Sequence, residues 1–187
     1  MPPAIQLLEG RPHLVVPVVA MIGGTVVRGL NSKGYEFVPP DVLAAFPQGL
    51  DGRPVVPIHP SNGRGDANNP RAQDSLRFGV TFNSRFDPAD LSLKTDAWLD
   101  VNRAVSLGSQ TSSVLARCKA GDAVEISLGA WIVMDEERGV SPGGVPYSYV
   151  WKYVISHDHL AVGLGGDVGA CSVEMGCGAN RYQAGKG

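Results

Sequence analysis

No run of lysine and arginine occurs in the 187 residues, and the formal net charge is −2. That excludes nucleic acid as the main partner, because phosphate binding needs clustered cationic side chains. No apolar run is long enough to cross a membrane: the longest, residues 14–22, contains Pro17 and falls far short of the ~20 residues a bilayer requires. The N-terminus lacks a basic region followed by a continuous apolar stretch and a small-residue cleavage site, so no secretory leader is expected. Cysteine is scarce and odd in number, at three. Without a leader, the expectation is reduced thiols in a cytosolic setting. There is no internal repeat.

What is present suits one globular domain over residues 1–187, with a core at about 13–178 and a frayed tail at 179–187. Apolar residues make up 43% of the chain and mean hydropathy is −0.01, both globular values. The 24 glycines and 14 prolines are spread along the chain, which predicts many short strands and turns. Residues 13–28 predict one long strand or a hairpin broken at Gly23-Gly24. Residues 39–46, "PPDVLAAF", predict a short helix. "PVVPIH" predicts a strand ending at His59. Residues 60–74 are almost wholly polar and predict a surface loop. Residues 75–86 and 91–99 predict two strands. Residues 100–121 predict one bent helix or two, with Asp100 as N-cap and Gly121 as the residue past the C-cap. The remainder predicts a strand around Ser127, a Gly/Pro turn at 137–147, a strand leading into "SHDHLAV", and an irregular Gly-rich tail. Strands with so few helices predict an α+β domain, specifically a β-barrel flanked by a few helices.

The stretch "DAVEISLGAW" alternates with period two. Val124, Ile126 and Leu128 take one face, and Glu125, Ser127 and Gly129 the other. Ser127 is a candidate nucleophile, with Gly129 leaving room beside it for a substrate backbone. His59 and His159 fall at ends of predicted strands, where rigid elements hold catalytic groups. A histidine supplies a base of near-neutral pKa, and a third group is needed to fix its tautomer. Taken singly, each residue also has an ordinary reading: a small polar residue in a strand, or a satisfied histidine at a strand end.

Other patterns carry less. His157 and His159 face one side of a regular strand, and Cys171 and Cys177 could complete a zinc set. Five residues between the cysteines exceed the usual spacing of about two to four, so no metal or other cofactor is expected. A Cys171–Cys177 disulfide is disfavoured by the missing leader. Cys118 suits packing on a helix. "GRGD" at 63–66 suits a solvated turn. "GLGGDVG" lacks the strand–turn–helix setting of a dinucleotide site. Asp135, Glu136 and Glu137 suit a solvated turn.

Six segments in order, "RPHLVVPVV", "GRPVVPIHP", "AWLDVNRA", "GDAVEISLGAW", "SHDHLAV" and "GACSVEMGCG", resemble those of the capsid (prohead) maturation proteases of tailed phages. The resemblance runs from about His13 to Gly178. The wider similarity is to the herpesvirus assemblin fold, a β-barrel wrapped by helices with a Ser-His-His triad. In that family the order along the chain is His, Ser, His, as with His59, Ser127 and His159. The resemblance implies a serine endopeptidase that processes phage scaffold and capsid proteins, and itself, during prohead maturation. It places the protein in the host cytoplasm, inside the assembling prohead. Its partners would be those substrates, with a homodimer allowed and neither nucleic acid nor membrane involved. Ser127 would be the nucleophile, His59 the general base and His159 the residue orienting it. Asp158 or Glu125 competes for the third place, because many phage enzymes use a carboxylate there. The arginine expected after the second histidine is missing, so Gly165, Gly166, Gly169 or Arg181 would have to hold the oxyanion. The alternative is a non-enzymatic phage head or scaffold protein that keeps the fold.

Overall fold

Among the described residues the chain forms ten strands in one mixed sheet, with four helices against it. The computed structural model describes residues 3–60 and 66–181. The fold is α+β. In chain order the strands are β1 (Ala4–Leu8), β2 (Arg11–Ile22), β3 (Val26–Val27), β4 (Glu36–Phe37), β5 (Pro54–Val56), β6 (Gly79–Asp87), β7 (Ser92–Asp100), β8 (Ile126–Val140), β9 (Pro146–Val162) and β10 (Gly178–Ala179). The helices are α1 (Pro40–Ala45), α2 (Pro70–Leu76), α3 (Val101–Ser106) and α4 (Ser109–Ala120).

The predicted barrel does not form. The sheet is an open path, β1-β2-β7-β6-β5-β9-β4-β3, with β8 added to β9 and β10 to β2. A single bridge, Val124 to Ala179, approaches the gap between β8 and β10. Two-residue β10 is too short to extend it into a ladder, because the Gly-rich segment before it folds as turns rather than strand.

The main core is built on the sheet, and strand β2 is buried continuously from His13 to Met21. Leu14, Val16, Val18, Val55, Phe78, Leu93, Leu99, Ile126 and Leu160 are buried there against Val114 and Cys118 of α4. A smaller cluster, Val56, Ala67, Ala161 and Leu164, forms separately. The α3–α4 break falls at Gly108, whose φ of 117° a side chain would resist. Asp100 caps α3 by accepting from the Arg103 N–H at 2.9 Å, and Gly121 ends α4 in the left-handed region, both as the sequence predicts. Asp135, Glu136 and Glu137 lie in strand β8 rather than in a turn, and Lys152 on β9 bonds Glu137 at 3.2 Å. The ladder to β9 holds that exposed stretch extended, and charges of opposite sign across it add to the pairing.

Phe78 is fully buried where β6 meets β5 and β7. Phe78→Ala is expected to destabilise the protein by about 3–5 kcal/mol, read as a lowered urea midpoint at unchanged slope.

Candidate active site

The long β8–β9 hairpin carries the chemistry-bearing residues, and its register decides which of them meet. Ser127 lies opposite Ala161, Leu128 opposite Leu160 and Gly129 opposite His159; then Ala130 pairs with His157, leaving Asp158 unopposed. Asp158 is therefore a β-bulge. Without the bulge His157 and His159 would share a face and Asp158 would take the other. With it, His157 and His159 face opposite sides, and Asp158 turns to the side of His159. His157 stacks on Phe46, its Nε2 3.2 Å from the Phe46 carbonyl oxygen. His159 turns towards His59. The zinc set is thus dispersed, and Cys171 and Cys177 are bonded to each other as a disulfide, contrary to the reduced state expected.

Asp158 is 5% exposed, so its carboxylate must be fully bonded. Oδ2 accepts from the Ala67 N–H at 3.0 Å and lies 2.6 Å from His159 Nδ1. Oδ1 accepts from Asn68 Nδ2 at 2.8 Å. Burial pushes the Asp158 pKa upward, but the bonds with His159, Asp66 and Ala67 outweigh it and hold the group far below the usual carboxylate range. The clamp comes from residues 66–69, inside the stretch read as a surface loop. That stretch does not stay in solvent. Ala67 is fully buried, Asn69 caps α2 by accepting from Ala72 N–H at 2.9 Å, and the helix fixes the turn in place. The "NNP" pattern before a helical run is an N-cap signal that could have revealed α2. Of "GRGD", only Asp66 lies within the described residues, and it accepts from the Asn68 N–H.

His59 lies beyond β5 rather than at its end, on a chain that bends at Pro57 and Ile58. His159 lies inside β9 rather than after it. The rings meet edge to face, with His59 Nδ1 2.7 Å from His159 Nε2. The hydrogen-bond network fixes the protons. A carboxylate only accepts, so His159 Nδ1 carries the hydrogen towards Asp158. In a neutral imidazole Nε2 is then the acceptor, and His59 Nδ1–H donates to it. That leaves His59 Nε2 bare. Burial, reinforced by the neighbouring His159, lowers the His59 pKa to about 4 against the partial opposition of Asp158.

Ser127 and His59 line one cleft of about 290 Å³, with Asp158 and His159 in the same wall. No hydrogen bond joins Ser127 Oγ to either histidine among the described residues. Ser127 shares its strand face with Gly129, and the role of Gly129 differs from that expected. A Cβ there would stand 2.2 Å from His159 Cε1, so glycine makes room for the imidazole rather than for a substrate backbone.

The other expected residues lie elsewhere. Glu125 accepts from the Gly169 N–H at 3.2 Å and the Val173 N–H at 3.0 Å, pinning the disulfide loop instead of orienting a histidine. The Gly169 N–H is consumed by that bond, and the Gly166 N–H by the Gly163 carbonyl. Gly165, Gly166, Gly169 and Arg181 do not line the cleft, though Ala170, next to Gly169, does. Cys118 is buried, and burial pushes its thiol up to about 12, consistent with packing.

Comparison of the chain with protein-family models, curated proteins and solved structures finds no match in any of the three.

The network predicts that His59 stays neutral down to about pH 4, measurable from imidazole ¹⁵N shifts. Titration near 6.5, its ordinary value, would contradict it. The unfolded chain takes up this proton near 6.5 and the folded chain only near 4. Stability should therefore fall as pH drops across that window; the Asp158 contribution persists through it and is lost only below the ordinary carboxylate value of 3.8.

Proposed function

We propose that the protein is a serine endopeptidase using Ser127, His59, His159 and Asp158. The observation that carries this reading is the linear chain from Asp158 through His159 to His59, ending on a bare Nε2 at the cleft that Ser127 lines. Ser127 Oγ attacks a peptide carbonyl. His59 Nε2 takes its proton and returns it to the leaving amine. The imidazolium formed on His59 is stabilised through His159 by the buried charge of Asp158. On this reading the choice between histidine and carboxylate as third member dissolves: both serve, in series. The oxyanion would be met by main-chain N–H groups at the cleft, from the outer edge of β8 or from Ala170.

The substrate assignment rests on the ordered sequence resemblance to prohead proteases. On that reading the fold is a relative of the assemblin barrel left open at β10, and the substrates are phage scaffold and capsid proteins and the chain itself. The protein would act in the host cytoplasm within the assembling prohead. A non-enzymatic head component is the competing reading, favoured by the absence of a Ser127–His59 hydrogen bond. Apo sites often hold such bonds long, tightening them only with substrate.

Co-expression with a capsid protein, read by intact mass, tests the activity: Ser127→Ala should abolish processing. Processing that survives Ser127→Ala would overturn the reading. Asp158→Asn should lower kcat by orders of magnitude, about 10⁴ by analogy with the loss of a tautomer-fixing carboxylate. Gly129→Ala should displace the His159 ring and lower kcat/KM about 100-fold. The acid limb of kcat/KM should lie near the His59 value of about 4, with activity lost below it as the base protonates.

A further inference from the structure

Glu36 is a buried carboxylate that the chemistry above does not use. It opens β4, is 6% exposed, and lines the same cleft as Ser127. Its Oε2 accepts from the Nε1–H of buried Trp151 at 2.8 Å. Among the described residues, no lysine or arginine is paired with it. An indole N–H needs only a neutral acceptor, so a carboxylate here carries a desolvation penalty that its one bond does not require. Buried charges are ordinarily paired, and the open side of this one is the cleft. The neighbouring walls are apolar: Met21, Val27, Leu30, Ile132 and Met134. Apolar walls ending at an unpaired carboxylate match a long aliphatic stem with a cationic tip, the shape of lysine and arginine.

The ladder also fixes the distance. Trp151, which holds Glu36, lies opposite Met134, while Ser127 lies opposite Ala161. The seven steps along β8 from Ser127 to Met134, at about 3.3 Å each, span roughly 23 Å. Along that span, among the described residues, β8 pairs only with β9, which leaves its outer edge for an extended peptide. We infer that Glu36 is a specificity residue of this cleft, taking a lysine or arginine side chain of the substrate several residues from the bond that is cut. This rests on the peptidase reading.

The test is digestion of a proteome-derived peptide library by the full chain, with cleavage sites read by mass spectrometry. Lysine or arginine should be enriched at one fixed position about four to seven residues from the cut, the reach of that span of strand. In a synthetic peptide built on such a site, replacing that lysine by norleucine should lower wild-type kcat/KM at least about tenfold. Glu36→Gln should erase the difference between the two peptides. Cleavage without that enrichment, or equal wild-type rates on both peptides, would overturn the inference and leave the peptidase reading standing. The lysine–norleucine comparison needs no variant, so it decides the matter even if Glu36→Gln fails to fold. No cleavage of any library peptide would overturn the peptidase reading and this inference together.

Discussion

The candidate site depends on one buried carboxylate. Asp158 sits where water is excluded, and a charge there persists only because Ala67, Asn68 and His159 all donate to it. Each donor is thereby fixed as well. The loop before α2 is drawn down onto the sheet, the His159 ring is locked in one tautomer, and the proton of His59 is directed away from the cleft. A chain of two imidazoles has no preferred polarity of its own. The carboxylate at one end supplies it.

The bulge in β9 makes this contact geometrically available. Consecutive residues in a strand point to opposite faces, so Asp158 could not reach His159 in a regular ladder. One unopposed residue turns both to the same side and sends His157 to the other. Gly129 completes the arrangement, because the ring turned inwards occupies the volume a side chain would need. Bulge, glycine and clamp are mutually dependent, each removing an obstacle to the others.

The same hairpin shapes the cleft. Because β8 is added outside the main strand path, one of its edges stays unpaired beside Ser127. Its far end meets the segment leading into β4, where Trp151 and Glu36 bury an indole and a carboxylate together. A cleft with a base at one end and an unpaired negative group at the other has both a reactive pole and a recognition pole.

Much of the secondary structure was legible because it follows from local rules. The alternation of Val124, Ile126 and Leu128, the Asp100 cap and the Gly121 terminus are each decided within a few residues. The sequence also singled out His59, Ser127 and His159, and left Asp158 as a rival for the third place. Local rules could not reveal the bulge, since unpairing Asp158 depends on the register of a strand thirty residues away. Nor could they show that polar residues 66–69 descend into the protein to hold a charge, or that Glu125 bonds the Gly169 and Val173 N–H groups. The open sheet was hidden for the same reason: barrel closure depends on whether β10 is long enough to pair at both edges. By itself, the sequence determined where most of the longer strands begin and which residues could carry chemistry. Only the tertiary structure decided which of them touch, because register and long-range burial set side-chain direction.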